Sequence, residues 1–440
     1  MKLTNDIFYV GVNDTEIDLF ESLYPVPDGM AYNSYVIADE KIAVMDSVDA
    51  HFTAEWLEKI EKVLEGLGER AKKPEGGSGR KYPDYLIIQH MEPDHSANIE
   101  VFMKKYPKAV LVASDKAFPM IKNYFGTEYE DRRVMIREGD KLSLGKHTLT
   151  FMMAPLVHWP EVMVTYDAYD KVLFTADAFG TFGTVEQEKW QVYQESAGEV
   201  IVMEETQAEC GSTDVELWAP EARRYYFGIV GKFGAPVQKL LKKAGQLDIR
   251  MLCPLHGPVL KEDLPAYLDL YHKWSSYEPE EEGVLIAYAS VYGNTKKAAE
   301  TLAENLRERG YADAKEERLQ EGESGRPKFY LTDLTRDSMS EAVANAFRFS
   351  NLVLASVTYN GMVFPPMREF IHNLAERGFC NRTVALIENG SWAPTAAFVM
   401  RDLLARCKNL TFTETTVRIR SAVNEEDMEE LKQLAEELAG

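Results

Sequence analysis

The sequence is short of cysteine, of positive charge and of long apolar runs, and each shortage closes off a class of function. Four cysteines, Cys210, Cys253, Cys380 and Cys407, are scattered over 440 residues. No CxxC pair occurs, which excludes an appended iron–sulfur or rubredoxin-like module built on such pairs. So few cysteines in so long a chain fit a reducing compartment rather than a disulfide framework. Lys and Arg number 49 against 71 Asp and Glu, for a net charge of −22. Such a field repels phosphate backbones, so nucleic acid is not an expected partner. No apolar run is long enough to cross a bilayer, and the opening MKLTNDIFYV lacks the apolar core of a signal peptide. A cytoplasmic protein with no membrane partner is the expectation.

What is present reads as globular: 45% hydrophobic and 27% charged residues. The length suggests two to three domains. The sharpest change of composition is SSYEPEEEGVLIAYAS, residues 275–290, where a glutamate-rich stretch ends at Gly283 and an apolar strand pattern begins. This places one domain over 1–278 and a second over 283–440. KKPEGGSGRK (72–81) and EGESGRP (321–327) look like flexible loops. In the first half, YLIIQ and IRMLCP read as buried strands. LSLGKHTLTFMMA and VMVTYDAYDKVLFTAD read as hairpins. In the second half NLVLASVTY is a buried strand. TKKAAETLAENLRERG is an amphipathic helix stopped by Gly310, and Asn424 caps a last helix.

The densest chemistry lies in QHMEPDHSAN, residues 89–98, which packs His90, Glu92, Asp94 and His95 into six positions. Three further candidates stand at strand ends: His158 in FMMAPLVHWP, Asp177 in VLFTADAFG and His256 in IRMLCPLHG. Seven such side chains are enough for two metal ions. Scattered His, Asp and Glu residues arise by chance; HxExDH in a strand-end loop, followed by three more candidates, is a much more specific signal. Three carboxylates among the donors make the site hard and anionic, which suits redox iron better than hydrolytic zinc. His51, His147, His272 and His372 lack such a context and read as ordinary surface or core residues. Trp159 reads as packing beside His158, with a wall of the pocket as the alternative.

A second stretch, AYASVYGNTKKAAETLAENL, runs from a buried strand through Ser290, Val291, Tyr292, Gly293, Asn294 and Thr295 straight into a helix. Hydroxyls and backbone N–H groups at a helix N-terminus suit a phosphate dianion, and glycine allows close approach. Neither GxGxxG nor a Walker lysine is present there, which weakens dinucleotide and nucleoside triphosphate readings. Two later loops follow strands: SVTYNGMVFPP (356–366) and ENGSWAPTA (388–396). A helix cap with two ordinary loops is the plain alternative.

The first cluster resembles the His-x-His-x-Asp-His signature of the metallo-β-lactamase superfamily, with Glu92 in place of one histidine. Within that superfamily the glutamate and the LFTADAFG context resemble flavodiiron proteins, and the 290–295 loop resembles flavodoxin. The resemblance spans nearly the whole chain. It implies a metallo-β-lactamase-like αββα sandwich followed by a flavodoxin-like doubly wound parallel sheet. It implies that His90, Glu92 and His158 hold one iron, that Asp94, His95 and His256 hold the other, and that Asp177 bridges them as part of the same catalytic set. FMN would sit on Ser290–Thr295, flanked by Thr358, Tyr359, Asn360 and Gly361 and by Asn389, Gly390, Ser391 and Trp392.

The implied activity is reduction of O2 to water or of NO to N2O, with an external electron donor of the rubredoxin kind. The implied assembly is a head-to-tail homodimer or a dimer of dimers. Two departures stand out. ENGSWAP differs from the GSYGWSG common in the family, and the 184–220 segment is longer than expected, so Tyr193, Tyr225 and Tyr226 have no assigned role. Two rivals remain open: a hydrolase of the same superfamily with a fused flavodoxin-like domain, and an FMN electron carrier with a structural metal site.

Overall fold

The structure, a computed structural model, describes residues 1–70, 82–185, 190–196, 199–205, 215–315 and 326–440. The 72–81 loop and most of 321–327 fall outside the described residues. The chain divides into two compact units: Met1–Tyr226 with Ala235–Asp269, and Phe227–Gly234 with Leu270–Gly440.

The first unit stacks two mixed sheets. In one, the strands run in the order Ile7–Tyr9, Tyr35–Ala38, Ile42–Met45, Tyr85–Ile88, Val110–Ser114 and Arg133–Ile136. Ile42–Met45, Tyr85–Ile88, Val110–Ser114 and Arg133–Ile136 are mutually parallel. The YLII and IAVM strands are buried at every position, as parallel strands covered on both faces must be. The other sheet runs Lys141–Ser143, Thr148–Met153, Met163–Asp167, Val172–Phe174 and Met251–Cys253. Both expected hairpins are in it, the first turning at Gly145 with φ +135°. Tyr35, Ile37, Met45, Ile87 and Val112 from one sheet meet Phe151, Met163, Phe174 and Cys253 from the other in one apolar core. Burial of these side chains, at roughly 1.5–3 kcal/mol each, is what holds the two layers together.

The second unit is a parallel sheet in the order Ala312–Asp313, Lys328–Asp333, Glu281–Ala289, Phe349–Tyr359, Cys380–Asn389 and Lys408–Ile419. The first full strand in sequence therefore lies inside the sheet, and the chain reverses its direction of travel beside it. This is the 2-1-3-4-5 order of flavodoxin-like sheets, whose crevice opens where the order reverses. Helices Asn294–Glu308 and Glu425–Ala439 cover one face with Leu302, Leu306, Leu431, Leu434 and Leu438. The Gly310 stop and the Asn424 cap are both present, the latter as a reciprocal capping box with Asp427.

One element was not foreseen. Within 184–220, Trp190–Ser196 and Glu199–Glu205 pair as antiparallel strands. WQVYQES and EVIVMEE do carry a period-two signal in part. The side chains of this hairpin, Tyr193 among them, lie outside the description. No helix among the described residues is long and apolar enough to cross a membrane.

Candidate metal centre

The strand Tyr85–Ile88 ends beneath the cluster, and a short helix, Pro93–Ser96, follows at once. Pro93 opens this helix, where its missing N–H costs nothing. Glu92 sits at the N-cap position, and Asp94 and His95 fall in the single turn after it. The turn is tied down from behind: the Ser47 hydroxyl and amide both donate to the His95 carbonyl, at 2.8 and 2.9 Å. His158, Asp177 and His256 follow strands Thr148–Met153, Val172–Phe174 and Met251–Cys253 of the opposite sheet.

The seven expected side chains form two groups, His90–Glu92–His158–Asp177 and Asp94–His95–His256, with donor atoms within 4.8 Å of one another in each group. Asp177 faces both. Its Oδ2 lies 3.4 Å from His90 Nε2 and 3.0 Å from His158 Nε2, while its Oδ1 lies 3.4 Å from His95 Nε2. Glu92 Oε2 is 3.1 Å from His90 Nε2 and 3.0 Å from His158 Nε2. Asp94 Oδ2 is 3.4 Å from the Nε2 atoms of both His95 and His256. Those two Nε2 atoms face each other at 3.0 Å.

Four imidazoles thus turn the same nitrogen toward the same space. The opposite nitrogen of two of them is held: His90 Nδ1 by Glu161 at 2.9 Å, His256 Nδ1 by the Ala31 carbonyl at 2.8 Å. Such partners fix ring orientation and leave Nε2 as the metal donor.

Burial makes the cluster costly unless something binds it. His90, His95, His256 and Asp177 are essentially inaccessible. Both oxygens of Asp94 and of Asp177 are buried with no hydrogen bond of acceptable geometry. Buried carboxylate oxygens without partners are rare because each carries a full desolvation penalty. Burial pulls the His158 pKa down, but the adjacent Asp177 and Glu92 carboxylates outweigh it and push it up to about 9. Burial raises the Asp177 pKa, but the neighbouring His90, His158 and His95 imidazoles hold it well below the usual carboxylate range. The site is built for compensating positive charge, which divalent cations supply more fully than protons.

Several residues of the site had no sequence signal. Glu161 also accepts the Met91 amide at 2.9 Å, so one buried carboxylate fixes both the His90 ring and the loop after it. Asp46, in a left-handed conformation at φ 53°, accepts the Gln89 amide and side chain at 2.7 and 3.0 Å. Asn33 donates to the Pro254 and Gly257 carbonyls on either side of His256. Phe20, Tyr32 and Tyr225 pack around the His256 ring at centroid distances of 5.4, 5.8 and 5.5 Å. Trp159 stands edge-on to His90 at 5.3 Å, so it walls this centre as well as packing. Tyr226 is fully buried.

In the second unit, the three loops singled out in the sequence follow the neighbouring strands Glu281–Ala289, Phe349–Tyr359 and Cys380–Asn389 at one end of the sheet. Ser290, Val291, Tyr292 and Gly293 form the first loop, and Asn294 and Thr295 open the helix behind it. Ser290 Oγ accepts the Gly293 amide at 3.1 Å, and Gly293 takes φ +90° with open space where a Cβ would stand. Asn360 and Gly361 form a left-handed turn, at φ 53° and 71°. Thr358 Oγ1 accepts the Thr395 and Ala396 amides at 2.9 and 3.2 Å, which locks the second loop to the third. Asn389 and Ser391 are pinned to Ser421, and Gly390 lies between them. Tyr292 and Trp392 are each 92% exposed, and Tyr359 is 44% exposed. Thr395 and Ser421 were not anticipated; both act through contacts between loops far apart in the chain, which a sequence does not display.

The family model described as ODP family β-lactamase matches residues 80–257, the stretch that holds all seven metal candidates. Across the whole chain, the nitric oxide reductase of Moorella thermoacetica is 24% identical over 442 residues, covering 100% of this chain and 98% of that protein. The anaerobic nitric oxide reductase flavorubredoxin of Vibrio vulnificus is 24% identical and covers 89% of this chain and 70% of itself. Among solved structures, the flavodiiron protein of Giardia intestinalis superposes with a TM-score of 0.81 at 23% identity, over 100% of this chain and 95% of that one. Rubredoxin oxygen:oxidoreductase from Desulfovibrio gigas superposes with a TM-score of 0.80 at 22% identity, over 100% and 97%. The chain is thus similar along its full length to a nitric oxide reductase, and its fold, a metallo-β-lactamase-like unit followed by a flavodoxin-like unit, is that of flavodiiron proteins.

Proposed function

We propose that this chain is a flavodiiron oxidoreductase that reduces O2 to water, NO to N2O, or both. The observation that carries the reading is the pair of donor groups that Asp177 faces on both sides, with four buried carboxylate oxygens that lack hydrogen bonds. His90, Glu92 and His158 would hold one iron, Asp94, His95 and His256 the other, and Asp177 would take one oxygen to each. When bound, the iron pair supplies the electrons that pass to the gas, and FMN resupplies them.

The chain's own residues set the conditions for that chemistry. Three carboxylates balance most of the charge of two ferrous ions and favour the oxidised pair. Glu161 and the Ala31 carbonyl keep the Nε2 atoms of His90 and His256 aimed inward. Phe20, Tyr32, Tyr225 and Trp159 make the surroundings apolar enough to admit a small neutral gas and to limit water.

FMN fits the second unit by the same reasoning. Ser290–Thr295 offers hydroxyls and amides at a helix N-terminus for the phosphate. Tyr359 and Trp392, exposed on the two neighbouring loops, offer flat apolar surface for the isoalloxazine, with the amides of the Asn360–Gly361 turn beside it. The donor we favour is a rubredoxin, and the assembly a head-to-tail homodimer in which one subunit's flavin serves its partner's irons. The proposed domain limits are 1–278 and 283–440, and the proposed location is the cytoplasm.

The test is to count iron and FMN in the purified protein, reduce it anaerobically, and add O2 or NO. Two irons and one FMN per chain with rapid reoxidation are expected. Zinc alone with esterase or phosphodiesterase activity would establish the hydrolase reading instead. Flavin redox activity without gas consumption would leave only an electron carrier.

A further inference from the structure

His147 reads as an ordinary residue in the sequence, but its surroundings are not ordinary. It is completely buried, and its Nε2 has no hydrogen-bond partner. Its Nδ1 is 2.9 Å from Asp167 Oδ2, and Asp167 is equally buried. That carboxylate is itself fixed, accepting the Asp170 amide at 3.0 Å. The ring is therefore held in one orientation, with Nε2 facing Asp6. Asp6, His147 and Asp170 present donor atoms within 4.8 Å of one another, the same closeness seen in each half of the main centre.

The spacing is that of atoms sharing an ion. His147 Nε2 lies 3.5 Å from Asp6 Oδ2. This is long for a hydrogen bond. Two donors each about 2.0–2.2 Å from a tetrahedral ion stand roughly 3.3–3.5 Å apart. At the main centre, Asp94 Oδ2 stands 3.4 Å from both His95 and His256. The buried carboxylate on Nδ1 repeats the pairing of His90 with Glu161.

We propose that Asp6, His147 and Asp170 form a third metal site, mononuclear, that takes a divalent first-row cation such as Zn²⁺ and completes its shell with water. Its place in the fold gives it a structural purpose. His147 precedes the strand Thr148–Met153 that leads to His158, and Asp170 precedes the strand Val172–Phe174 that leads to Asp177. The new site thus lies at the strand ends opposite the main centre. Asp6 precedes Ile7–Tyr9, the outermost strand of the other sheet, which pairs on one side with Tyr35–Ala38. One ion would clip this edge strand to the neighbouring sheet. Lys146 Nζ bonds Asp6 and Thr4 Oγ1 donates to Asp170 at 2.5 Å, so both carboxylates have alternative partners. Lys146 is 41% exposed and can turn to solvent when the ion binds.

The test uses the full-length holoprotein. Wild type, Asp6→Asn and Asp170→Asn are each equilibrated with micromolar Zn²⁺, freed of excess, and analysed for total metal. Wild type is expected to keep one ion more per chain than either variant, with iron, FMN and gas turnover the same in all three. Removing that ion should lower the Tm of wild type and leave the variants' Tm unmoved. Anomalous diffraction at the zinc edge should place the ion among Asp6, His147 and Asp170, a readout that holds even if a variant folds poorly. Equal metal counts in all three proteins, or no anomalous peak at His147, would overturn the proposal and leave a lysine-neutralised cluster.

Discussion

The two ends that matter in this chain are made from opposite materials. At the metal centre the working atoms belong to side chains, nearly all buried, and every one of them is ionisable. At the proposed flavin site many of the candidate groups are backbone amides in left-handed turns, and the prominent side chains, Tyr292 and Trp392, stand out in solvent. A buried charge cluster must be complete before it is tolerable, so losing one member should disrupt all of it. An exposed cradle is a sum of weak contacts, so losing one should cost little elsewhere.

The hardest blow to this contrast is Asp177→Asn. Asp177 is the group that faces both sets of donors, and its oxygens are within 3.4 Å of three imidazoles. The amide keeps the shape but not the charge. Iron should fall from two ions per chain toward none, and gas reduction should fall by about 100-fold or more, given that even outer partners of metal ligands matter 10–100-fold. FMN content should not change. Both irons surviving in the variant would remove Asp177 from its bridging place.

A smaller effect is expected from Glu161→Gln. The amide oxygen can still accept the Met91 amide, but the charge that orients and supports His90 is gone. Metal affinity should drop about 10–100-fold. Titration of the metal-free protein with ferrous ion reads this directly. An unchanged affinity would mean that the His90 ring is held by packing, with Trp159 the obvious agent.

How far the sequence reveals these two ends follows from the same contrast. HxExDH is legible because ligand chemistry restricts residue type and because the motif follows an unmistakable strand. The flavodoxin-like loops are legible because each follows an apolar strand at one end of the sheet. What stays hidden is what reaches the site from far along the chain. Glu161 holds the candidate ligand His90, and Asp46 and Asn33 hold backbone beside His90 and His256, from tens of residues away or more, and nothing in their local sequence says so. The grip of Thr358 on Thr395 and Ala396 depends on backbone N–H positions. His147 hides for the same reason: its neighbours Asp6 and Asp167 come from other strands. The paired strands Trp190–Ser196 and Glu199–Glu205 stay hidden because their alternation of apolar and polar residues is only partial.

On the flavin side, Trp392→Ala removes a side chain that is 92% exposed, so it takes little from the fold. If the ring stacks on FMN, its loss costs about 0.5–1.5 kcal/mol, a roughly 3–10-fold rise in the FMN Kd. Fluorescence titration of the flavin-free protein measures that shift, while Tm and metal content stay where they were. A rise in Kd with loss of metal would break the separation between the two ends.

The mildest change tests the fold beneath the cradle. Asn424 accepts the amides of Glu426 and Asp427, and Asp427 returns the bond to the Asn424 amide. The helix Glu425–Ala439 that it starts buries Leu431, Leu434 and Leu438 against the parallel sheet. Asn424→Ala leaves those leucines in place and strips only the cap, worth about 1 kcal/mol. Flavin release on heating should come a few degrees earlier, whereas iron release should keep its temperature, because nothing in the metal centre depends on that helix. If iron and flavin are lost together at the lowered temperature, the two units do not unfold separately, and the contrast between them describes their chemistry but not their stability.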